Sequence, residues 1–172
     1  MKVVALRETF PQERRVALTP QVAAAMIKKG WEVGVESGAG DAAGFPDSQF
    51  QEKGVEIFGD RSAAIQAADV VLQVRTYGAN PAEGRADLEQ FRPGQTVVGM
   101  CDPLGNPQAI QELADRKTTL FAMELIPRIT RAQSMDVLSS MATLAGYKAV
   151  LLGAGALPRI LPMMMTAAGT VP

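Results

Sequence analysis

The sequence predicts an α/β fold: a three-layer domain with helices packed on a mostly parallel sheet. Two observations predict it. Short runs rich in Val and Ile alternate with segments carrying helix punctuation, the pattern of βα units. The chain of 172 residues, 47% hydrophobic and 20% charged, also has the size and composition of an ordinary globular domain.

The elements follow in order. Lys2–Leu6 is the first expected strand. Thr19 caps the next helix, Pro20 takes its first position, Val22, Ala23, Met26 and Ile27 share a face, and Gly30 stops it. Trp31–Glu36 and Val55–Phe58 are the second and third strands, with a short helix over Asp47–Lys53 between them. A helix over Arg61–Ala68 leads to strands Asp69–Val74 and Thr96–Met100. Asn106-Pro107 opens a helix with Ile110, Leu113 and Ala114 inward, and Thr118–Ala122 is the sixth strand. MELIPRITR is a loop, followed by a long helix. Its polar stripe is Asp136, Ser139, Ser140, Thr143 and Tyr147, with Val137, Leu138, Met141, Leu144 and Ala145 opposite. Thr130-x-x-Gln133 fits a capping box for that helix, and Ser134 is an alternative cap.

Composition excludes several chemistries. With no histidine there is no Ser-His-Asp or Cys-His machinery, no HExxH zinc site and no imidazole shuttle. Cys101 is the single cysteine, which excludes a disulfide framework and, without an activating histidine, reads as a packing thiol. No acidic pair has metal-site spacing. A net charge of -1 offers no basic stripe for nucleic acid. Arg7 and Glu8 cut the N-terminal apolar run short of a signal-peptide core. The longest apolar stretch, Ala149–Leu157, is about half of the ~20 residues a membrane span needs, so a soluble chain is expected. The Met163-Met164-Met165 run is expected in core or interface packing.

Ligands of parallel sheets bind outside the carboxyl ends of the strands. The residues there are Arg7, Glu8, Glu36, Arg75, Asp102 and Glu124, beside the loop ESGAGDAAG. Gly38-Ala-Gly40-Asp-Ala-Ala43 matches a relaxed dinucleotide fingerprint, but Gly44-Phe45-Pro46 breaks the helix it requires. Gly153-Ala-Gly155 follows a helical run and ends in proline. Neither reads as a nucleotide site. The start of the last helix, beside Arg128 and Arg131, suits a carboxamide or phosphate.

The strings RETFPQERRVALTP, ESGAGDAAGFPD and IPRITRAQSMDVLSSMATLAGYKAV closely resemble the alanine dehydrogenase/transhydrogenase family, the RAQSMD…SS…AGY portion its transhydrogenase branch. The likeness is to the N-terminal portion of the alpha subunit of proton-translocating NAD(P)+ transhydrogenase and runs from Met1 to Pro172. It implies a Rossmann-like first domain over 1–172, with the NAD-binding Rossmann domain and its glycine fingerprint lying beyond MMMTAAGTVP.

By that resemblance, Arg128, Gln133, Asp136 and Ser139 lie beside the nicotinamide ring of NAD(H), with NADP(H) on a partner subunit. The implied catalytic set is Arg128, Gln133 and Asp136. The implied cofactor-binding set adds Ser134, Met135, Val137 and Ser139. Arg128 is expected to pair with Asp136. The implied partners are NADP(H)-binding and membrane-spanning subunits and a second alpha component. The implied location is cytoplasmic, peripheral at the inner membrane. Alanine dehydrogenase, the cousin family, uses an acid/base histidine that this chain lacks. A non-catalytic assembly module is the third reading.

Overall fold

Strand β1, Lys2–Ala5, carries Val3, Val4 and Ala5 and lies at the centre of the sheet, where burial on both faces favours an unbroken apolar run. The computed structural model describes residues 1–159, 161 and 163–171. It divides into two compact units, Met1–Ile126 and Pro127–Pro172.

In unit one the chain runs β1, α1 (Pro20–Lys28), β2 (Glu32–Glu36), α2 (Asp47–Gln51), β3 (Glu56–Phe58), α3 (Arg61–Ala67) and β4 (Val70–Arg75). It continues through α4 (Arg85–Leu88), β5 (Thr96–Met100), α5 (Pro107–Asp115) and β6 (Thr119–Ala122). The six strands form one sheet of order β3-β2-β1-β4-β5-β6, every pairing parallel. The fold class is therefore the expected one. The expected strands match to within one residue at each end.

Caps explain the helix starts. Thr19 accepts from the Val22 N–H, Asp60 from Ala63 and Asn106 from Ala109. Gly30, at φ 85°, takes the left-handed turn after α1. Two apolar clusters form the core. One joins Val4, Leu6, Ile65, Val71, Phe91, Val97 and Leu113, and the other joins Ala5, Leu18, Val33, Val35 and Phe50. The four-residue α4 carries no sequence periodicity and was not expected.

In unit two a 3₁₀ turn over Thr130–Met135 leads to α6, Val137–Ala156. The expected cap is corrected here. Neither Thr130 nor Ser134 caps the long helix; Asp136 does, because the 3₁₀ turn ends at Met135 and leaves Asp136 extended at φ −74°, ψ 95°. The expectation for the longest apolar stretch is also corrected. α6 spans 20 residues and is long and apolar enough, by length and composition, to cross a membrane. The lone Lys148 is tolerated within a helix otherwise built of apolar and small residues. Strands β7 (Met164–Thr166) and β8 (Gly169–Val171) make an antiparallel hairpin, also unexpected. Met163, Met164 and Met165 are exposed, Met165 at 86%, since a two-stranded hairpin leaves both faces open.

Candidate functional site

The polar segment of unit two is built around Asp136. Its Oδ1 accepts from the Ser139 backbone N–H at 2.9 Å, and its Oδ2 accepts from the Ser139 hydroxyl at 2.6 Å. These bonds, hydroxyl first, hold the Asp136 carboxyl below the usual carboxylate range, and the Arg128 charge adds to them. Arg128 forms no ion pair with Asp136 within 4.0 Å, so the expected pairing is reduced to attraction at longer range. Its planar donor fork stays open.

Gln133, Ser134 and Met135 are exposed on the 3₁₀ turn, and Val137 is half-buried at the first turn of α6. Among the described residues the Gln133 side-chain amide makes no hydrogen bond, so it is free to donate and accept. The Ser140 and Thr143 hydroxyls donate back to the Asp136 and Ser139 carbonyls, which removes them as donors to a ligand. Unit two carries Arg128, Arg131, Lys148 and Arg159 against a single acid, Asp136. That balance suits a polyanionic ligand.

The strand ends of unit one hold a second polar cluster. Glu8 accepts from the Val74 and Arg75 N–H groups at 2.6 and 3.0 Å. Burial pushes its carboxyl above the ordinary range, and the two backbone donors oppose that shift. Glu13 bridges Arg15 (2.6 Å) and Arg75 (3.2 Å), and the Arg75 guanidinium lies 4.1 Å from the centre of the Phe10 ring. Hydrogen bonding to the Arg15 guanidinium is the main cause that holds the Glu13 carboxyl at about 2. Glu36 and Asp87 share Arg61, with N···O distances of 2.6 Å to each. Glu124 accepts from the Cys101 N–H at 2.7 Å and from the Asp102 N–H. Cys101 is buried, its thiol pushed up to about 11 by desolvation, and so fills the packing role. Among the described residues, no three His, Cys, Asp or Glu side chains are grouped to hold a metal ion.

The loop ESGAGDAAG holds its own anion: Asp47 accepts from the Gly38 N–H at 2.9 Å and the Ser37 hydroxyl at 2.7 Å. This explains why its glycines do not act as a fingerprint. Arg128, Gln133, Ser134, Met135, Asp136, Val137 and Ser139 fall on one continuous segment, with Asp136 and Ser139 in direct contact. The strand-end pairings were missed because they join residues as much as 67 positions apart.

A parallel sheet in this order defines a doubly wound α/β domain of the dinucleotide-enzyme type. Residues 4–145 match the family described as alanine dehydrogenase/PNT, N-terminal domain. The chain is 42% identical over 171 residues to the first portion of a divided NAD(P) transhydrogenase subunit alpha in Rickettsia prowazekii (strain Madrid E), across 99% of this chain and 44% of that protein. It is also 42% identical over 172 residues to the protein of the same name from Rhodospirillum rubrum, across 100% and 44%. The crystal structure of transhydrogenase from Sinorhizobium meliloti matches at a TM-score of 0.88 and 44% identity, over 100% of this chain and 49% of that one. The chain belongs to the alanine dehydrogenase/PNT N-terminal domain family. It spans less than half the length of the curated relatives it matches.

Proposed function

We propose that this chain belongs to the NAD(H)-binding alpha subunit of a proton-translocating NAD(P)+ transhydrogenase, and that it serves direct hydride transfer from NADH to NADP+. The observation that carries this reading is the 42% identity, sustained over 99% of the chain, to a relative named as an NAD(P) transhydrogenase alpha subunit. The donor set supports it: a free Gln133 amide, an open Arg128 fork, an anionic Asp136 and a cationic surround suit a nicotinamide carboxamide, ribose and diphosphate.

When bound, the dihydronicotinamide supplies the hydride. The residues align it. Gln133 hydrogen-bonds the carboxamide or the facing ring, Asp136 and Ser139 take the carboxamide and ribose side, and Arg128 fixes a polar group. Ser134, Met135 and Val137 line the same edge. The step needs proximity and alignment and moves no proton at the reacting carbons. A chain without histidine therefore suffices, whereas amino-acid deamination would lack its acid/base group.

In this reading residues 1–172 are the N-terminal domain, and a separate Rossmann domain grips the adenosine and diphosphate. NADP(H) sits on a partner subunit, membrane-spanning partners move the proton, and the alpha component is a homodimer held on the cytoplasmic side of the inner membrane. Titrating NADH fluorescence tests the division of labour. The chain alone binds weakly, and a version extended by the second half of a curated relative binds at least tenfold more tightly. Equal affinity in the two would overturn it.

A further inference from the structure

The strand order β3-β2-β1-β4-β5-β6 places the reversal of sheet growth between β1 and β4. The crevice outside the carboxyl ends of those two strands is where a doubly wound sheet takes its ligand. Here the β1–α1 connection runs from Leu6 to Thr19, far longer than the roughly two to six residues usual for such a turn, and contains no glycine. It reaches from the end of β1 to the end of β4 as a strap.

Side chains fasten that strap. The Glu8 carboxylate spans the Val74 and Arg75 N–H groups, one oxygen on each. Asn80 donates to the Thr9 hydroxyl at 2.9 Å, and Phe10 lies beneath Arg75. At the root, the Arg7 N–H donates to Glu36 while its carbonyl accepts from Arg61. The start of α1 offers no phosphate cradle either, since Thr19 accepts from Val22 and Pro20 has no N–H.

We propose that Glu8 is a built-in anion that closes this crevice, occupying the two strand-end N–H groups an anionic ligand would take and barring a dinucleotide diphosphate from unit one. Unit one thus has the topology of a dinucleotide-binding domain while its binding position is satisfied internally. The contact is autoinhibitory, and it stands independently of the hydride-transfer reading because it concerns residues of unit one alone.

The test is an amide-resonance titration of the full chain with inorganic pyrophosphate and, separately, NADH, following Val74 and Arg75. In the wild type neither probe moves these resonances at millimolar concentration. In Glu8→Ala pyrophosphate moves both, with affinity raised at least tenfold over the wild type. Saturable movement of Val74 and Arg75 in the wild type overturns the proposal, an arm that needs no variant to fold. A folded Glu8→Ala chain that takes up no more pyrophosphate than the wild type overturns it as well.

Discussion

Asp136 spends both carboxylate oxygens on Ser139, so one residue starts α6 and presents the negative charge of the proposed nicotinamide edge. Substitutions separate the two roles. Asn preserves a cap acceptor and Ala does not. Asp136→Ala is expected to lower helical circular dichroism while Asp136→Asn keeps it, and both weaken NADH binding in the complete enzyme by roughly tenfold. Retained affinity in the Asn variant would remove the charge from the account. Glu13 gives the pH signature. Its carboxyl is held at about 2, below the ordinary 4.5, so its stabilisation is complete above about pH 4.5 and is lost as pH falls toward 2. Glu13→Gln should cost on the order of 2 kcal/mol near pH 7 by urea denaturation, and the gap should narrow by about pH 3. A gap independent of pH would contradict the ion pairing. Residue types at these sites were legible, but their partners were not. Arg128, Gln133, Asp136 and Ser139 came through resemblance, whereas the Glu8 contacts with Val74 and Arg75 leave no local signal.

Elements announced themselves in proportion to their length and burial. The six sheet strands are apolar runs between turn signals, and α1 and α5 carry a side-chain cap followed by proline, so these were read to within a residue or two. The four-residue α4 and the three-residue strands of the hairpin are too short for a period to register. At the start of α6 two capping patterns competed, and the 3₁₀ turn chose Asp136-x-x-Ser139 over Thr130-x-x-Gln133. Tertiary ties between elements are equally silent in sequence. Arg61 on α3 joins Glu36 on β2, Asp87 on α4 and the backbone of Arg7. Arg61→Met leaves two buried carboxylates without their cation and should destabilise unit one by about 3–5 kcal/mol. Adding Asp87→Asn should recover some of that loss. A cost below about 1 kcal/mol would show the network to be peripheral.

At the scale of the whole molecule, a doubly wound unit and a cationic helical unit meet different requirements. Unit one satisfies its strand ends with its own carboxylates. Unit two leaves Arg128 and Gln133 open beside a capped Asp136. Zero histidines, first a loss of catalytic options, fit a reaction whose demand is alignment rather than proton transfer. The central claim is that Gln133 aligns two nicotinamides. Its most direct measurement is the hydride-transfer rate and the NADH Kd of Gln133→Asn in the enzyme completed with its NADP(H)-binding component. The account predicts a rate slowed by roughly a hundredfold with NADH affinity changed less than about threefold. Equal loss of rate and affinity, or a rate unchanged from the wild type, would contradict it.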